Sequence, residues 1–144
     1  GCPAVQRMAL AHLVDTSVLT RLRMSPVRDR VEAQVRARTL ARTSITDLEI
    51  GFSARNGAEW DELAAAIREL ELVPTSQHDF IRALDIQRAL AVTGHRGRKL
   101  PDLLIAAVAE RHNLSVLHYD VDFEIIAGLT GLRNEWVVPR GTID

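Results

Sequence analysis

The sequence predicts an α/β protein built around a parallel sheet. Short apolar runs that end in polar residues alternate with longer segments whose apolar residues recur at helical spacing. Alternating strands and helices of this kind are typical of a parallel sheet covered by helices. Aspartates follow the apolar runs at 10–14 and 115–118. In open α/β sheets, the carboxyl ends of the strands form the edge where ligands bind.

Length and composition indicate one domain. The chain has 144 residues, and 47% of them are hydrophobic, which is enough for one sizeable core. We place the domain at residues 8–140, because Met8 is a suitable native start directly before the first strand. Residues 1–7 are expected to be a cloning remnant or a disordered lead. The only cysteine is Cys2, so an intramolecular disulfide is excluded.

Charge and hydropathy narrow the class of protein further. No apolar run is long enough to span a bilayer and no signal-peptide pattern is present, so we expect a soluble cytoplasmic protein. The net charge of −1 gives no global basic field. The basic residues are nearly all arginine, which suits phosphate contact but also commonly solvates helix faces. A phosphodiester substrate is therefore compatible with the charge balance.

The first predicted strand is followed directly by a carboxylate. Residues 10–14 form the apolar run, and Asp15 comes at its end. Thr16 and Ser17 can then cap a short helix that begins with Val18. Asp15 is either a ligand at the sheet edge or no more than a helix cap.

A second helix, a strand and a third helix follow. Ser25 and Pro26 are a cap and a first-turn proline, and valines at 27, 31 and 35 supply the apolar face. Residues 39–43 are expected to form a short strand. Ser44 or Thr46 can cap the third helix, which ends near residues 56–57.

Glu49 is the unusual residue of the third helix. The predicted apolar stripe consists of Ile45, Leu48 and Phe52, and Glu49 lies on that stripe whereas Asp47 points away from it. A carboxylate that faces the core is costly unless it is paired, protonated or bound to a metal. The alternative is a capping glutamate near the start of the helix.

The middle of the chain is expected to be structural. Residues 58–70 have helical periodicity, and residues 71–74 suggest a short strand. A capping box at Ser76 and Asp79 opens a long helix that ends near Gly94. Its apolar side is expected at Phe80, Ile81, Leu84, Ile86 and Leu90. The basic loop at 95–100 is either a substrate contact or an ordinary helix connection.

The last third of the chain supplies the remaining acids. Asp102 lies in the first turn of a helix that is apolar nearly all round and ends at Asn113, so this acid should face the interior or a cleft. A strand at 115–118 is followed by Asp120 and Asp122, either of which could merely cap the next helix. Residues 135–138 suggest a final strand, and the tail after Pro139 is expected to be loose.

Acids at these positions can converge on one edge of a parallel sheet. The candidate set consists of Asp15, Glu49, Asp102, Asp120 and Asp122. Clustered carboxylates repel one another without a compensating cation, and all-oxygen ligands favour Mg²⁺ or Mn²⁺. The sequence has no cysteine–histidine spacing for zinc, no glycine-rich phosphate loop and no serine or cysteine triad. Metal-assisted attack of water on a phosphodiester is the chemistry that needs such a cluster.

The sequence also resembles the PIN-domain ribonucleases, most closely the VapC-like toxins of bacterial toxin–antitoxin pairs. The resemblance is carried by four ordered motifs, LVDTS at 13–17, ITDLEIG at 45–51, LPDLLIAA at 100–107 and VLHYDVDF at 116–123. It extends from Leu10 to Val138. Each motif alone is short, but their order and spacing together are specific.

The resemblance implies a three-layer α/β/α sandwich around a parallel sheet of about five strands. It also implies endonucleolytic cleavage of RNA that depends on Mg²⁺ or Mn²⁺. Asp15 and Asp102 would be the principal metal ligands, and Glu49 and Asp120 would complete the catalytic acids. Asp122 would be an accessory ligand. Thr16 or Ser17 would form hydrogen bonds near the metal or the substrate.

The resemblance further implies a homodimer and a cognate VapB-like antitoxin. The carboxy-terminal segment of the antitoxin would occupy the acidic groove and place a basic side chain among the carboxylates. One alternative is a module of the same fold that binds RNA or protein without cutting. Another is a haloacid-dehalogenase-like phosphatase, but that class needs a second aspartate where this chain has Ser17.

Overall fold

The computed structural model describes residues 9–95 and 98–143. The proposed lead at 1–7 lies outside these residues, as do positions 96 and 97 of the basic loop. The described strands are β1 (His12–Val14), β2 (Leu40–Arg42), β3 (Glu71–Leu72), β4 (Ser115–His118) and β5 (Asn134–Trp136). The described helices are α1 (Thr16–Leu19), α2 (Ser25–Ala37), α3 (Ser44–Phe52), α4 (Gly57–Ile67), α5 (Gln77–Val92), α6 (Leu100–Arg111) and α7 (Asp122–Thr130).

The strands form one parallel sheet in the order β3-β2-β1-β4-β5. Successive residues of the central strands pack on opposite faces of the sheet. Leu13 and Val116 pack with α5, α6 and α7 on one face. Their neighbours Val14 and Leu117 pack with α1, α2 and α3 on the other face. This alternation is what the pleat of a strand requires when both faces are covered. The predicted three-layer α/β/α sandwich with five parallel strands is confirmed.

Helix starts differ from the sequence prediction at several helices. The N-cap of α1 is Asp15 rather than Thr16 or Ser17, and that of α2 is Met24 rather than Ser25. The expected capping box of α5 is present, and Asp79 in addition accepts a hydrogen bond from Arg111 Nε of α6 at 2.8 Å. For α3, the prediction of Ser44 or Thr46 as the cap is wrong. Thr43 is the N-cap, and its Oγ1 accepts from the Thr46 amide at 3.3 Å.

The buried face of α3 also differs from the predicted stripe. Leu48 and Phe52 are 69% and 93% exposed, whereas Thr46 and Ile50 are buried. Thr46 can occupy an interior position because its hydroxyl is hydrogen-bonded to that of Thr43 at 3.2 Å. The spacing of apolar residues contains no information about the Thr43–Thr46 hydrogen bond, so the prediction that Leu48 and Phe52 face the core is wrong.

The buried face of the long helix α5 also differs in part from the predicted apolar side. The expected core residues Ile86 and Leu90 are buried, but Phe80, Ile81 and Leu84 are largely exposed. By contrast, α6 is buried on nearly all sides, as its composition predicts. None of the helices in the described ranges is long and apolar enough to cross a membrane.

Candidate functional site

Three acids converge at one edge of the sheet. Asp15 follows β1, Asp120 follows the neighbouring strand β4, and Asp102 lies in the first turn of α6. Each offers a carboxylate oxygen, and these oxygens lie within 4.8 Å of one another. The parallel strands β1 and β4 end side by side, because the Asp15 amide still donates to the Leu117 carbonyl at 2.9 Å. The convergence expected at this edge is present for these three residues.

Asp15 is both a helix cap and a member of the cluster. Its side chain caps α1 by accepting from the Ser17 amide at 3.0 Å. Burial raises the pKa of Asp15, and the hydrogen bonds from Ser17 oppose that rise. The cap role weighed for this residue is confirmed, and it leaves Asp15 within the acid cluster.

Asp102 is buried in the cluster, and one of its oxygens has no partner among the described residues. It is 4% exposed, and its Oδ2 atom is buried without a hydrogen bond from any residue that the structure describes. Burial, and next the negative charges of Asp15 and Asp120, raise the pKa of Asp102 to about 8. A divalent cation would satisfy this oxygen and offset the repulsion between the carboxylates. The three acids thus fit a hard metal ion in both chemistry and spacing.

Asp120 is held by contacts on both carboxylate oxygens. Oδ2 lies 3.1 Å from Lys99 Nζ, and Oδ1 accepts from the Asp122 amide at 2.9 Å. The side chain of Asp122 instead pairs with Arg98, at 2.6 Å between Oδ1 and Nη1. Among the described residues, Asp122 is therefore not one of the acids whose oxygens meet.

Glu49 lines the same cavity as the three acids but is outside the group that meets within 4.8 Å. Its Oε1 accepts a hydrogen bond from the Thr16 hydroxyl at 2.8 Å, which ties α3 to the start of α1. Ser17 Oγ accepts from the Tyr119 amide at 2.9 Å. Asp47 faces elsewhere, as expected, and pairs with Arg42 at 2.8 Å.

The cavity in front of the acids has a volume of about 740 Å³. It is also lined by two arginines and two aromatic residues, Arg21, Arg140, Tyr119 and Trp136. The Arg21 guanidinium lies 5.0 Å from the centre of the Tyr119 ring, and that of Arg140 lies 5.6 Å from Trp136. Cations over aromatic faces are stabilised by the ring quadrupole. A cavity lined by both acidic residues and arginines suits a phosphate chain that approaches a bound metal.

The carboxy-terminal segment also lines this cavity, through Gly141 and Ile143. The Tyr119 hydroxyl donates to the Ile143 carbonyl at 2.7 Å and accepts from the Gly141 amide at 3.0 Å. The prediction of a loose tail after Pro139 is therefore wrong for residues 139–143. The Tyr119 hydroxyl, one residue after β4, thus holds the segment beside the cavity. The sequence of the tail gives no sign of this distant partner.

Sequence reasoning missed several residues around the acids. They are Arg21, His118, Tyr119, Trp136 and Arg140. Lys99 also lines the cavity, and it belongs to the basic loop at 95–100, for which the sequence predicted either a substrate contact or a helix connection. His118 carried no signal, because a fully buried histidine at a strand end resembles any core residue. Nδ1 of its ring accepts a hydrogen bond from the Asp120 amide at 3.1 Å, and burial lowers the pKa of His118.

A model of the PIN domain family matches residues 12–129. The relative "Ribonuclease VapC51" of Mycobacterium tuberculosis strain H37Rv is 53% identical over 137 residues, which are 95% of this chain and 100% of the relative. "Ribonuclease VapC21" of Mycobacterium tuberculosis is 46% identical over 94% of this chain and 99% of its own length.

Solved structures of VapBC complexes have the same fold. VapBC2 from Rickettsia felis, bound to a promoter DNA fragment, has a TM-score of 0.73 at 18% identity, covering 89% of this chain and 98% of the other. VapBC-5 from Mycobacterium tuberculosis has a TM-score of 0.65 at 25% identity, with 88% and 98% covered. The acid cluster described above occupies the span that the family model matches. The chain therefore belongs to the PIN-domain family, and within it to the VapC group.

Proposed function

We propose that this chain is an endoribonuclease that cleaves RNA phosphodiester bonds with a divalent metal ion and acts as the toxin of a toxin–antitoxin pair. The observation that carries the proposal is the cluster of Asp15, Asp102 and Asp120. Within it, the buried Oδ2 atom of Asp102 has no hydrogen-bond partner among the described residues. Relatives that are 46% and 53% identical are named ribonucleases.

The three clustered acids would hold the ion, and their oxygen ligands favour Mg²⁺ or Mn²⁺ over softer metals. When bound, such an ion lowers the pKa of water and polarises a phosphodiester. Asp102 would be ionised with the ion bound, because a cation would offset both the burial and the neighbouring negative charges that raise its pKa.

The other cavity residues would position the substrate and the attacking water. Glu49, which lines the cavity and accepts a hydrogen bond from the Thr16 hydroxyl, would accept a proton from the attacking water. Lys99, whose Nζ contacts Asp120 at the cavity, would bind a phosphate oxygen of the substrate. Arg21 and Arg140 supply bidentate donors for phosphates beside the scissile bond.

Asp15→Asn tests the nuclease function most directly. The change is nearly isosteric and keeps an oxygen for the Ser17 amide, so the fold should persist while RNA cleavage in Mn²⁺ falls by orders of magnitude. Asp61→Asn on the exposed side of α4 is the matched control and should cut like the unaltered chain. Unaltered cutting by folded Asp15→Asn would overturn the assignment.

Two observations bear on the alternative functions. RNA binding by the unaltered chain without any metal-dependent cleavage would favour the non-catalytic binding module. The phosphatase alternative lacks its second acid, since position 17 is a serine whose hydroxyl is engaged by the Tyr119 amide. The match to the PIN family model favours the nuclease over this alternative.

The partner would be a VapB-like antitoxin, since the solved structures named above are VapBC complexes. A basic side chain of the antitoxin could take the place of the metal among the three acids. We also propose a homodimer. Six of the ten large apolar side chains that are exposed in the described residues lie on α3 and α5, and apolar surface of this kind marks interfaces. RNA as the substrate implies action in the cytoplasm.

A further inference from the structure

His118 makes two specific hydrogen bonds from a fully buried ring. It is the last residue of β4, and it packs 5.1 Å from the Phe123 ring and 4.9 Å from that of Trp136. Nδ1 lies 3.1 Å from the backbone nitrogen of Asp120, and Nε2 lies 2.8 Å from Asn134 Oδ1. Both ring nitrogens are therefore engaged inside the core.

The partners assign the tautomer of the ring. A backbone amide can only donate, so Nδ1 accepts from Asp120 and carries no proton. The proton of the neutral ring is then on Nε2, where the Asn134 carbonyl oxygen accepts it. The amide of Asn134 is itself oriented, since its Nδ2 donates to the Leu132 carbonyl at 3.4 Å. The chain of hydrogen bonds thus runs from β5 through the ring to Asp120.

We infer that His118 is a positioning residue for the metal centre, because it fixes the main chain of Asp120 and so the direction of the Asp120 carboxylate. The two carboxylate oxygens are contacted by Lys99 Nζ and by the Asp122 amide, while Nδ1 of His118 accepts from the main-chain nitrogen of Asp120. This inference rests on the proposed function, in which Asp120 is a ligand. Hydrogen-bond partners that orient metal ligands typically change metal affinity by about 10- to 100-fold when they are removed.

Two amide substitutions separate positioning from packing. His118→Asn places an acceptor oxygen near the site of Nδ1 and can still bind the Asp120 amide. His118→Gln reaches the site of Nε2 instead, so it can bind Asn134 but not Asp120. Both remove the ring and its contacts with Phe123 and Trp136, so the loss of packing is shared.

Mn²⁺ affinity measured by electron paramagnetic resonance, without RNA, should fall about 10- to 100-fold in His118→Gln and recover most of that loss in His118→Asn. Amide hydrogen exchange should show the Asp120 amide protected in the unaltered chain and in His118→Asn, but exchanging rapidly in His118→Gln. Equal Mn²⁺ affinity and equal protection in the two variants would overturn the inference, because ring packing would then account for any shared effect.

A measurement on the unaltered chain covers the case in which neither variant folds. The nitrogen-15 shifts of the His118 ring should show the proton on Nε2, and a proton on Nδ1 would overturn the inference. Asp120→Asn tests the premise separately. If that variant binds Mn²⁺ as tightly as the unaltered chain, the ligand role of Asp120 fails, while the exchange data still decide whether His118 holds the Asp120 amide.

Discussion

At the scale of single residues, Asp102 makes the metal-free protein sensitive to pH. Its pKa is about 8 in the folded chain and near 3.8 when unfolded. Between these values the folded state binds the extra proton, so the free energy of unfolding should fall as pH rises through that interval. Burial is the main cause of the raised pKa, and the negative charges of Asp15 and Asp120 add to it.

Thermal unfolding in chelator across that pH interval measures this dependence. Asp102→Asn should raise the melting temperature at the alkaline end and flatten the slope, with the remaining slope due to Asp15, whose pKa is also raised. Added Mn²⁺ should reverse the trend for the unaltered chain, because the ion binds the ionised acids. A lower melting temperature for Asp102→Asn at every pH would show that this acid is structural.

At the scale of the secondary-structure elements, α3 carries two acids with different surroundings. Glu49 accepts from Thr16 beside the acid cluster, whereas Asp47 pairs with the buried Arg42 on the other side of the helix. Glu49→Gln keeps the oxygen acceptor for Thr16, so it should be neutral or stabilising without metal. It should weaken Mn²⁺ binding and reduce RNA cleavage by orders of magnitude.

Asp47→Asn is the matched control on the same helix. It should leave Mn²⁺ binding and cleavage unchanged, but it should lower the melting temperature because Arg42 loses its charged partner inside the fold. Mn²⁺ titration, RNA cleavage and thermal unfolding of the two variants form one comparison. Equal losses of activity at both positions, or none at Glu49, would refute the placement of Glu49 in the active site.

At the scale of the whole molecule, the exposed apolar residues of α3 and α5 predict self-association. Phe52 is 93% exposed and Leu84 is 63% exposed, which is unfavourable in water unless another surface covers them. Light scattering of the unaltered chain should give twice the 16.0 kDa chain mass. Phe52→Glu with Leu84→Glu should give a monomer, whereas Leu72→Glu on the edge strand β3 should not change the mass. A monomeric unaltered chain would contradict the homodimer.

The acidic cavity also predicts an inhibitory protein partner. A small protein should co-purify from the source cell and block RNA cleavage, because a basic side chain can bind the carboxylates in place of the metal. Truncation of that protein's carboxy-terminal segment should restore cleavage. Cells that tolerate high expression of the intact, active chain without such a partner would contradict the toxin function, while the nuclease function would stand.

The candidate site was predictable from sequence only in part. Asp15 and Asp120 could be placed together because each follows a strand, and parallel strands end at a common edge. Asp102 could be added because it opens an apolar helix that has to be buried. The pairing of Asp122 with Arg98 could not be foreseen, since it joins the first residue of α7 to a residue before α6, 24 positions away in the chain.

The sequence by itself determined the alternation of strands and helices and the acids at the strand ends, because apolar periodicity acts between residues close in the chain. The three layers were implied by the resemblance to PIN-domain ribonucleases. Only the tertiary structure decided which face of α3 is buried, where the segment at 139–143 lies, and what orients Asp120. Each of these depends on one distant or hidden contact: Thr46 with Thr43 inside the core, Ile143 with Tyr119, and the Asp120 amide with His118. A buried hydrogen bond outweighs a local apolar pattern, since an unsatisfied polar group in the core costs about 1 to 3 kcal/mol.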